Sequence, residues 1–340
     1  MDRELRYRSE MSAHIRARRY MHAPESSRCC PACETVGCDW YRLRRHGRTA
    51  LRCPGCRLTW LDQPLFTSHD HSDDHYRRAV SSAESDGNPN LVADIHARNV
   101  HCALSSFDLP SRRVLGVGSG GGDLLARLQA LGYSAEGVEP SDDGVAHSRE
   151  RGLKVTSGVF EDAHIHGRYG AIVSTHVVEH VADIDAFFAR AAELIEPLGV
   201  HVILTPNGNA PAFRVLRRFW TYATPEEHRY VFTAEALTHI GQRHGFVTEF
   251  HRTTERRCPI ARGVIRELVV SAAARRPARR APGAPHTAGV TTPVGALRIS
   301  SPQRLWDALN RAEGPILDRL NKCLSRSERG DELLVVMSRV

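Results

Sequence analysis

The alternation of apolar and polar residues in the middle of the chain predicts a strand, a glycine-rich turn and a helix in succession. The apolar run at 114–117 is typical of a buried strand, and five glycines between positions 116 and 122 form the turn. Leucines then recur at helical spacing from Leu124 to Leu131, and Gly132 stands where helices often end in a left-handed residue. A turn without side chains exposes backbone N–H groups at a helix start, which favours a ligand carrying negative charge.

The same alternation of strand and helix continues along the chain. Apolar runs predict strands at 114–117, 134–138, 154–155, 169–174, 200–204, 246–250 and 333–337. Ser141 and Thr233 are predicted to cap helices that end near Gly152 and Gly245. Strands that alternate with helices indicate an α/β fold with a doubly wound, mostly parallel seven-stranded sheet, in which ligands bind at the carboxyl ends of the strands.

The glycine-rich turn admits two alignments. Positions 116–121 match GxGxxG, the dinucleotide fingerprint, whereas Gly118, Gly120 and Gly122 match GxGxG, the S-adenosylmethionine loop. Glu139, at the end of the next predicted strand, is placed to bind the two hydroxyls of a ribose. Both cofactors contain a ribose, so these residues alone leave the cofactor open.

Two CxxC pairs indicate a metal site near the N-terminus. Each pair can turn two thiolates towards one tetrahedral ion, and the segment between the pairs is long enough for a hairpin. Cys29 and Cys38 are additional thiols, and buried or redox-active cysteine is the alternative interpretation. We expect a zinc ribbon over residues 28–66 in which the ion is structural, because all four ligand positions are filled by Cys30, Cys33, Cys53 and Cys56.

Composition adds limits on the type of protein. The chain has 340 residues, of which 41% are hydrophobic, enough for a sizeable core, and its formal net charge is +7. Arginines cluster in the first 60 residues and near 275–280, and such patches attract nucleic acid, anionic lipid or acidic substrates. No apolar segment is long enough to span a bilayer and the N-terminus has no hydrophobic signal core, so a cytoplasmic protein is expected.

Changes in composition divide the rest of the chain. We expect a basic flexible tail at 1–27, a linker and helix at 67–108, and a ligand-binding domain at 109–256 plus 331–340. The linker is rich in His and Asp, which could bind metal, although a solvated linker is favoured. Residues 257–330 are expected to form a flexible excursion and a paired helical cap, which would act as a lid, a homodimer face or core cover.

The motifs VLGVGSGGG, AEGVEPS, YGAIVSTHVVEHV, GVHVILTPN and EEHRYVFTAEAL resemble, in order and spacing, the class I S-adenosylmethionine-dependent methyltransferases. The branch that contains the ubiquinone-biosynthesis O-methyltransferase is the most similar, over residues 109–256 and the last strand. Many bacterial relatives in this family also carry an N-terminal zinc ribbon. The resemblance therefore implies S-adenosyl-L-methionine as the cofactor, a Rossmann-like sheet, and methylation of O or N in a small biosynthetic intermediate.

The resemblance also implies roles for individual residues. Cofactor contacts carry over to Gly118, Gly120 and Gly122 for the methionine part, to Glu139 for the ribose, and to Phe160 with Glu161 or Asp162 for the adenine. One position departs from the family, because Gly116 stands where an acidic residue usually helps to hold the cofactor's amino group. Either Asp123 compensates, or cofactor binding is weakened, or the protein is a binding relative that has lost catalysis.

Histidines near the predicted pocket are candidates for removing a proton from the acceptor. A histidine titrates near neutral pH, and His180 is the first candidate, His228 the second and His176 the third; the alternative is that they orient loops. His176, Glu179 and His180 would share one helical face, which resembles a magnesium site of the ubiquinone enzymes and would here favour a softer divalent metal. The string is also HxxEH, but a zinc peptidase needs that motif deep in a long helix.

A second function remains open at this point. The protein could be an RNA or protein methyltransferase in which the ribbon and its arginines dock a polyanion, and RNA binding would then depend steeply on salt. These arginines are Arg42, Arg44, Arg45, Arg48 and Arg52.

Overall fold

Two sheets organise the protein in a computed structural model, which describes residues 28–43, 48–61, 89–217, 220, 228–254 and 330–340. The larger sheet has seven strands, which are β4 (Arg113–Val117), β5 (Ser134–Glu139), β6 (Val155–Ser157), β7 (Tyr169–Thr175), β8 (Ile195–Pro206), β10 (Phe246–Thr254) and β11 (Glu332–Arg339). Their order across the sheet is β10-β11-β8-β7-β4-β5-β6. This arrangement confirms the predicted α/β fold.

Neighbouring strands are parallel from β8 to β6, whereas β11 pairs antiparallel with both β8 and β10. The strand order reverses between β4 and β7. The chain that leaves β4 continues to β5 and β6 at one edge of the sheet, whereas the chain that leaves β7 continues to β8 towards the other edge. Such a switch point leaves a crevice at the carboxyl ends of the strands. The glycine turn follows β4 and the histidine segment follows β7, so the sheet brings both to this crevice.

Six helices flank the strands in the described ranges. They are α1 (Pro89–Leu104), α2 (Asp123–Ala130), α3 (Asp142–Glu150), α4 (Ile184–Leu194), α5 (Pro211–Leu216) and α6 (Ala234–Arg243). Ser141 and Thr233 accept backbone N–H groups at the starts of α3 and α6, as predicted. Gly132, Gly152 and Gly245 have positive φ just beyond α2, α3 and α6, as predicted for helix ends.

The core lies on both faces of the larger sheet. On one face Ile172, Ile203 and Val335 pack with the aromatic side chains of α4. On the other face Val173 and Val202 pack with the apolar side of α1. The central strands β7 and β8 are therefore buried on both sides, which explains their continuous apolar sequence.

The cysteine-rich segment forms a second sheet that includes a strand from the other part of the chain. Its order is β1 (Cys38–Leu43), β2 (Arg48–Arg52), β3 (Thr59–Leu61) and β9 (Tyr230–Val231). Thr233 Oγ1 donates to the carbonyl of Cys56 over 2.6 Å, and the guanidinium of Arg243 donates to the carbonyls of Pro31 and Ala32. The ribbon is thus packed against α6, and its cysteines share one apolar cluster with Phe232.

Several predictions concern residues outside the described part of the chain. These are the basic tail at 1–27, the end of the predicted ribbon at 62–66, the linker at 67–88, the excursion and helical cap predicted at 257–330 except for residue 330, and Arg44 and Arg45 of the arginine group. Within the described ranges, no helix combines the length and the apolar character needed to cross a membrane.

Candidate functional site

The glycine turn after β4 bends over the end of β5. Gly118, Gly120 and Gly122 have φ angles of 63°, 54° and 80°, which residues with a Cβ adopt only with strain. The N–H groups of Gly118 and Ser119 both donate to the carbonyl of Val138, over 2.9 and 3.2 Å. The three glycines of the GxGxG alignment therefore hold the turn in its conformation.

The turn is held to the carboxylate at the end of β5. The N–H of Gly120 donates to Glu139 Oε2 over 2.8 Å, and the N–H of Ser141 donates to Oε1 over 2.9 Å. Glu139 is only 7% exposed. An ionised carboxylate can accept several hydrogen bonds, so these backbone donors are compatible with contacts from ribose hydroxyls.

Gly116 is a packing position in this structure. Its α-carbon pairs with that of Gly137 on β5, and a Cβ added at either glycine would lie 2.7 Å from a methyl carbon of Leu125. An acidic side chain at 116 would therefore displace a buried leucine. Asp123 forms ion pairs with Arg151 over 3.0 Å and with Arg127 over 3.6 Å, so its carboxylate is engaged by two guanidinium groups.

The predicted adenine residues differ in accessibility. Phe160 is 4% exposed and its ring packs 5.1 Å from that of Phe187, so it belongs to the core. Asp162 is exposed, whereas Glu161 is partly buried. Burial raises the pKa of Glu161 to about 7. Of the two acidic residues, Glu161 is therefore the one in a sheltered position.

The segment after β7 is a turn and not a helix, so the predicted helical face is wrong. His176 has a φ of 56°, and its N–H donates to the carbonyl of Leu204 on β8 over 2.8 Å. The strand pairing extends to this residue and prevents a helix from beginning there. The three residues proposed as one metal set are consequently divided between two clusters that meet at His176 and Glu179.

The first cluster comprises Glu179, His180 and His228, whose ligand atoms all lie within 4.8 Å of one another. The rings of His180 and His228 meet edge to face with centroids 4.6 Å apart. Glu179 is fully buried, and its Oε2 accepts the hydroxyl of Thr205 over 2.9 Å. The structure thus brings together the first two histidines that the sequence suggested as bases.

The second cluster comprises His96, His176 and Glu332, which sequence reasoning did not bring together. His176 Nε2 and His96 Nε2 lie 3.2 and 3.3 Å from Glu332 Oε1. Burial lowers the pKa of His176, but its hydrogen bonds to Glu179 and Glu332 outweigh burial and raise that pKa to about 9. The signal for Glu332 is its charge at the edge of the apolar run LLVVM, but nothing in the sequence pairs it with a histidine.

Residues 88–249 match the model of the Methyltransferase domain family. This part of the chain is a methyltransferase domain. The chain is 33% identical to the ubiquinone biosynthesis O-methyltransferase of Azorhizobium caulinodans over 131 residues, which are 36% of this chain and 52% of the relative. It is 28% identical to that of Rhodopseudomonas palustris over 160 residues, which are 43% of this chain and 63% of the relative.

The chain thus matches about half to three-fifths of the length of these curated relatives. Among solved structures, an S-adenosylmethionine-dependent methyltransferase of Archaeoglobus fulgidus is similar with a TM-score of 0.48 and 16% identity, over 77% of this chain and 99% of that one.

The four cysteines in front of the methyltransferase domain form a compact group. The Sγ atoms of Cys30 and Cys56 are 3.5 Å apart, and Cys33 lies 3.4 Å from Cys53 and 3.5 Å from Cys56. A tetrahedral zinc ion separates thiolates by about 3.8 Å, so a small expansion would accommodate it. The hydrogen bond between Cys30 and Cys56 lowers the pKa of Cys30 and raises the pKa of Cys56, so the two thiols share one proton. The spare thiols Cys29 and Cys38 are exposed and outside this group.

Arg52 of the proposed docking surface is instead part of the junction with the methyltransferase domain. Its guanidinium stacks over the Trp40 ring at 4.8 Å and donates to Thr59 Oγ1 and to the carbonyl of Gly208. Burial lowers its pKa to about 10. Arg52 is therefore engaged within the protein and is not presented to a polyanion.

Proposed function

We propose that this protein transfers the methyl group of S-adenosylmethionine to an oxygen or nitrogen of a small biosynthetic intermediate. The observation that carries the proposal is the 2.8 Å contact between the N–H of Gly120 and Glu139, which joins a glycine-rich turn to a carboxylate placed to bind a ribose. The names of the curated relatives favour an oxygen acceptor, because they are O-methyltransferases of ubiquinone biosynthesis.

The residues around the turn fit the cofactor chemically. Gly118, Gly120 and Gly122 would allow the methionine part to approach the backbone, Glu139 would accept the ribose hydroxyls, and Glu161 would accept the adenine amino group. Ser174 Oγ, on the strand beside Val117, is buried without a hydrogen-bond partner among the described residues, so a ligand at this edge would satisfy it. When bound, the cofactor supplies a methyl group already activated by a sulfonium.

The remaining tasks of the protein are to orient the acceptor, to exclude water and to accept a proton. We assign proton acceptance to His180, with His228 against its ring. His176 is a weaker candidate because its two ring nitrogens face the carboxylates of Glu179 and Glu332. Glu179 fixes the segment, since its backbone carbonyl accepts the N–H groups of Arg229 and Tyr230 over 2.8 and 3.2 Å. These bonds hold the residue after His228 beside the turn that carries His180.

We also propose a structural zinc ion at the four cysteines, supported by their spacing in the sequence and by the Sγ distances. Its role would be to hold the ribbon sheet against α6. Because Arg52 is engaged at that junction, the proposal favours a small acceptor over RNA.

The test uses the purified full-length chain, cell extract and cofactor labelled in its methyl group, followed by mass spectrometry of small molecules, RNA and protein. We expect a small molecule to gain the label with the wild-type protein and not with Gly120→Arg, whose side chain would fill the turn. Label in RNA or protein would instead establish the alternative acceptor. If calorimetry detected no binding of S-adenosylmethionine or S-adenosylhomocysteine, the proposal would be wrong.

A further inference from the structure

Three elements distant in the sequence bring two imidazoles to one buried carboxylate oxygen. His96 is on α1, His176 follows β7, and Glu332 is the first residue of β11. His176 and His96 are 156 and 236 residues from Glu332 in the sequence. The side chain of Glu332 is 1% exposed, and those of His96 and His176 are 12% and 22% exposed.

The distances in this cluster are compatible with a shared metal ion as well as with hydrogen bonds. A charged N–H group usually approaches a carboxylate oxygen to about 2.7–2.9 Å. Here the two Nε2 atoms stay 3.2 and 3.3 Å from Glu332 Oε1. A tetrahedral zinc ion with bonds of about 2.0–2.1 Å would separate its ligand atoms by about 3.3–3.4 Å. The two observed distances therefore resemble edges of such a tetrahedron.

Two of the proposed ligand residues are held by hydrogen bonds to further side chains, as metal ligands in proteins usually are. His176 Nδ1 lies 3.2 Å from Glu179 Oε1, so a proton on Nδ1 would leave the lone pair of Nε2 directed towards Glu332. The other oxygen of Glu332 accepts the hydroxyl of Thr254 over 2.8 Å. A carboxylate behind the histidine and a hydroxyl behind the glutamate would fix both ligands in orientation.

We propose that His96 Nε2, His176 Nε2 and Glu332 Oε1 bind one divalent transition-metal ion, of which zinc fits best. Two imidazoles and one carboxylate are a ligand set typical of zinc sites that keep a position for an exchangeable ligand. The site is distinct from the four cysteines. It also differs from the metal set suggested by the sequence, of which it contains only His176.

The position of the site indicates what the exchangeable ligand would be. His176 precedes Val177, whose side chain lies against Gly118 of the turn, since a Cβ there would be 2.5 Å from Val177 Cγ2. Glu332 pairs with Pro206 at the carboxyl end of β8. The metal would therefore lie at the ligand edge of the sheet and would bind a hydroxyl or carbonyl oxygen of the acceptor. This role rests on the proposed function, whereas metal binding does not.

The test measures zinc per chain by mass spectrometry after loading with zinc and removal of the excess. We expect two equivalents in the wild-type protein, one at the cysteines and one at the proposed site. His96→Ala and Glu332→Gln should each lose one equivalent. His101→Ala is the matched control, because His101 lies on the same helix and bonds Tyr133 instead, and it should retain two. Each variant is checked for its fold by circular dichroism.

A spectroscopic measurement on the wild-type protein does not depend on the folding of any variant. Loading with Co²⁺ should give thiolate-to-metal absorption from the cysteines and a separate set of weaker visible bands from a site of nitrogen and oxygen ligands. One equivalent of zinc in the wild-type protein, or two in a folded His96→Ala, would overturn the proposal, as would a cobalt spectrum with thiolate bands alone. If the wild-type protein binds two equivalents of zinc but transfers no methyl group, the proposed function is rejected and the proposal of a metal site stands.

Discussion

Gly116 and Gly137 lie opposite each other on adjacent parallel strands, and the side chain of Leu125 covers both. This pair explains why an acidic residue is missing from the end of β4. Both positions serve the packing of α2 on the sheet, since a Cβ at either would meet Leu125 at 2.7 Å.

Introducing the acidic residue at this position should therefore harm the protein. We expect Gly116→Asp to lower the free energy of unfolding by about 1–3 kcal/mol, as overpacking does, without tighter binding of S-adenosylmethionine. Denaturant unfolding and calorimetry measure the two effects. The double variant with Leu125→Ala should lose less stability than the sum of the single variants, because the shortened side chain makes room. Tighter cofactor binding in a fully stable Gly116→Asp would contradict this account.

The carboxylate of Glu139 should determine cofactor affinity. We expect Glu139→Gln to weaken S-adenosylmethionine binding by about 10- to 150-fold, which corresponds to about 1.5–3 kcal/mol for hydrogen bonds to a charged group. Glu136→Gln is the matched control on the same strand, because the carboxylate of Glu136 accepts the hydroxyl of Tyr169 on β7 and is not part of the glycine turn. Titration calorimetry of both variants tests this, and equal affinities would show that Glu139 does not contact the ribose.

The edge-to-face pair of His180 and His228 should act on the acceptor and not on the cofactor. We expect His180→Gln to reduce kcat by about 100-fold or more, since general base catalysis typically contributes that much. The dissociation constant of S-adenosylmethionine should be unchanged. His101→Gln, on α1, where the side chain bonds Tyr133, should have wild-type kinetics. If His180→Gln kept its kcat once the acceptor is known, His180 would be a structural residue.

Burial of Glu161 should make stability depend on pH. Its pKa is raised from 4.5 to about 7 in the folded state, so folding is penalised only when the group must ionise. The free energy of unfolding should therefore fall as the pH rises from about 4.5 to 7. Glu161→Gln should remove this part of the dependence and should gain stability over the wild type at pH 7.5 but not at pH 4.5. Asp162→Asn, at the exposed neighbour, should keep most of the pH dependence of the wild type in urea unfolding, because burial is a larger cause of the raised pKa of Glu161 than the charge of Asp162.

Removal of metal from the ribbon should affect more than the ribbon. β3 pairs with β9, and Thr233 at the start of α6 bonds the carbonyl of Cys56. We expect Cys53→Ser to lose one equivalent of zinc and to have a lower Tm than the wild-type protein. Cys38→Ser, at an exposed thiol, should change neither quantity. A Tm unchanged by the loss of zinc would show that the ribbon does not stabilise α6.

The sequence by itself determined the features that depend on a few neighbouring residues. The strand, glycine turn and helix around Gly120, the caps at Ser141 and Thr233, and the two CxxC pairs all follow from local conformational preference and spacing. The seven strands were predictable because each buried run is apolar and is separated from the next by a helix or a turn.

Only the tertiary structure decided which distant side chains meet. His96 joins Glu332 because α1 packs beside the sheet and β11 inserts between β8 and β10, and no local pattern encodes either event. The same reason explains the errors at His176 and Arg52. Strand pairing with Leu204 gives His176 a positive φ where spacing suggested a helix, and a hydrogen bond to the carbonyl of Gly208 engages Arg52, which the sequence suggested for docking a polyanion. The spacing of residues in the sequence determines which side chains meet within one helix or strand. The packing of helices and strands against each other determines which distant side chains surround a residue.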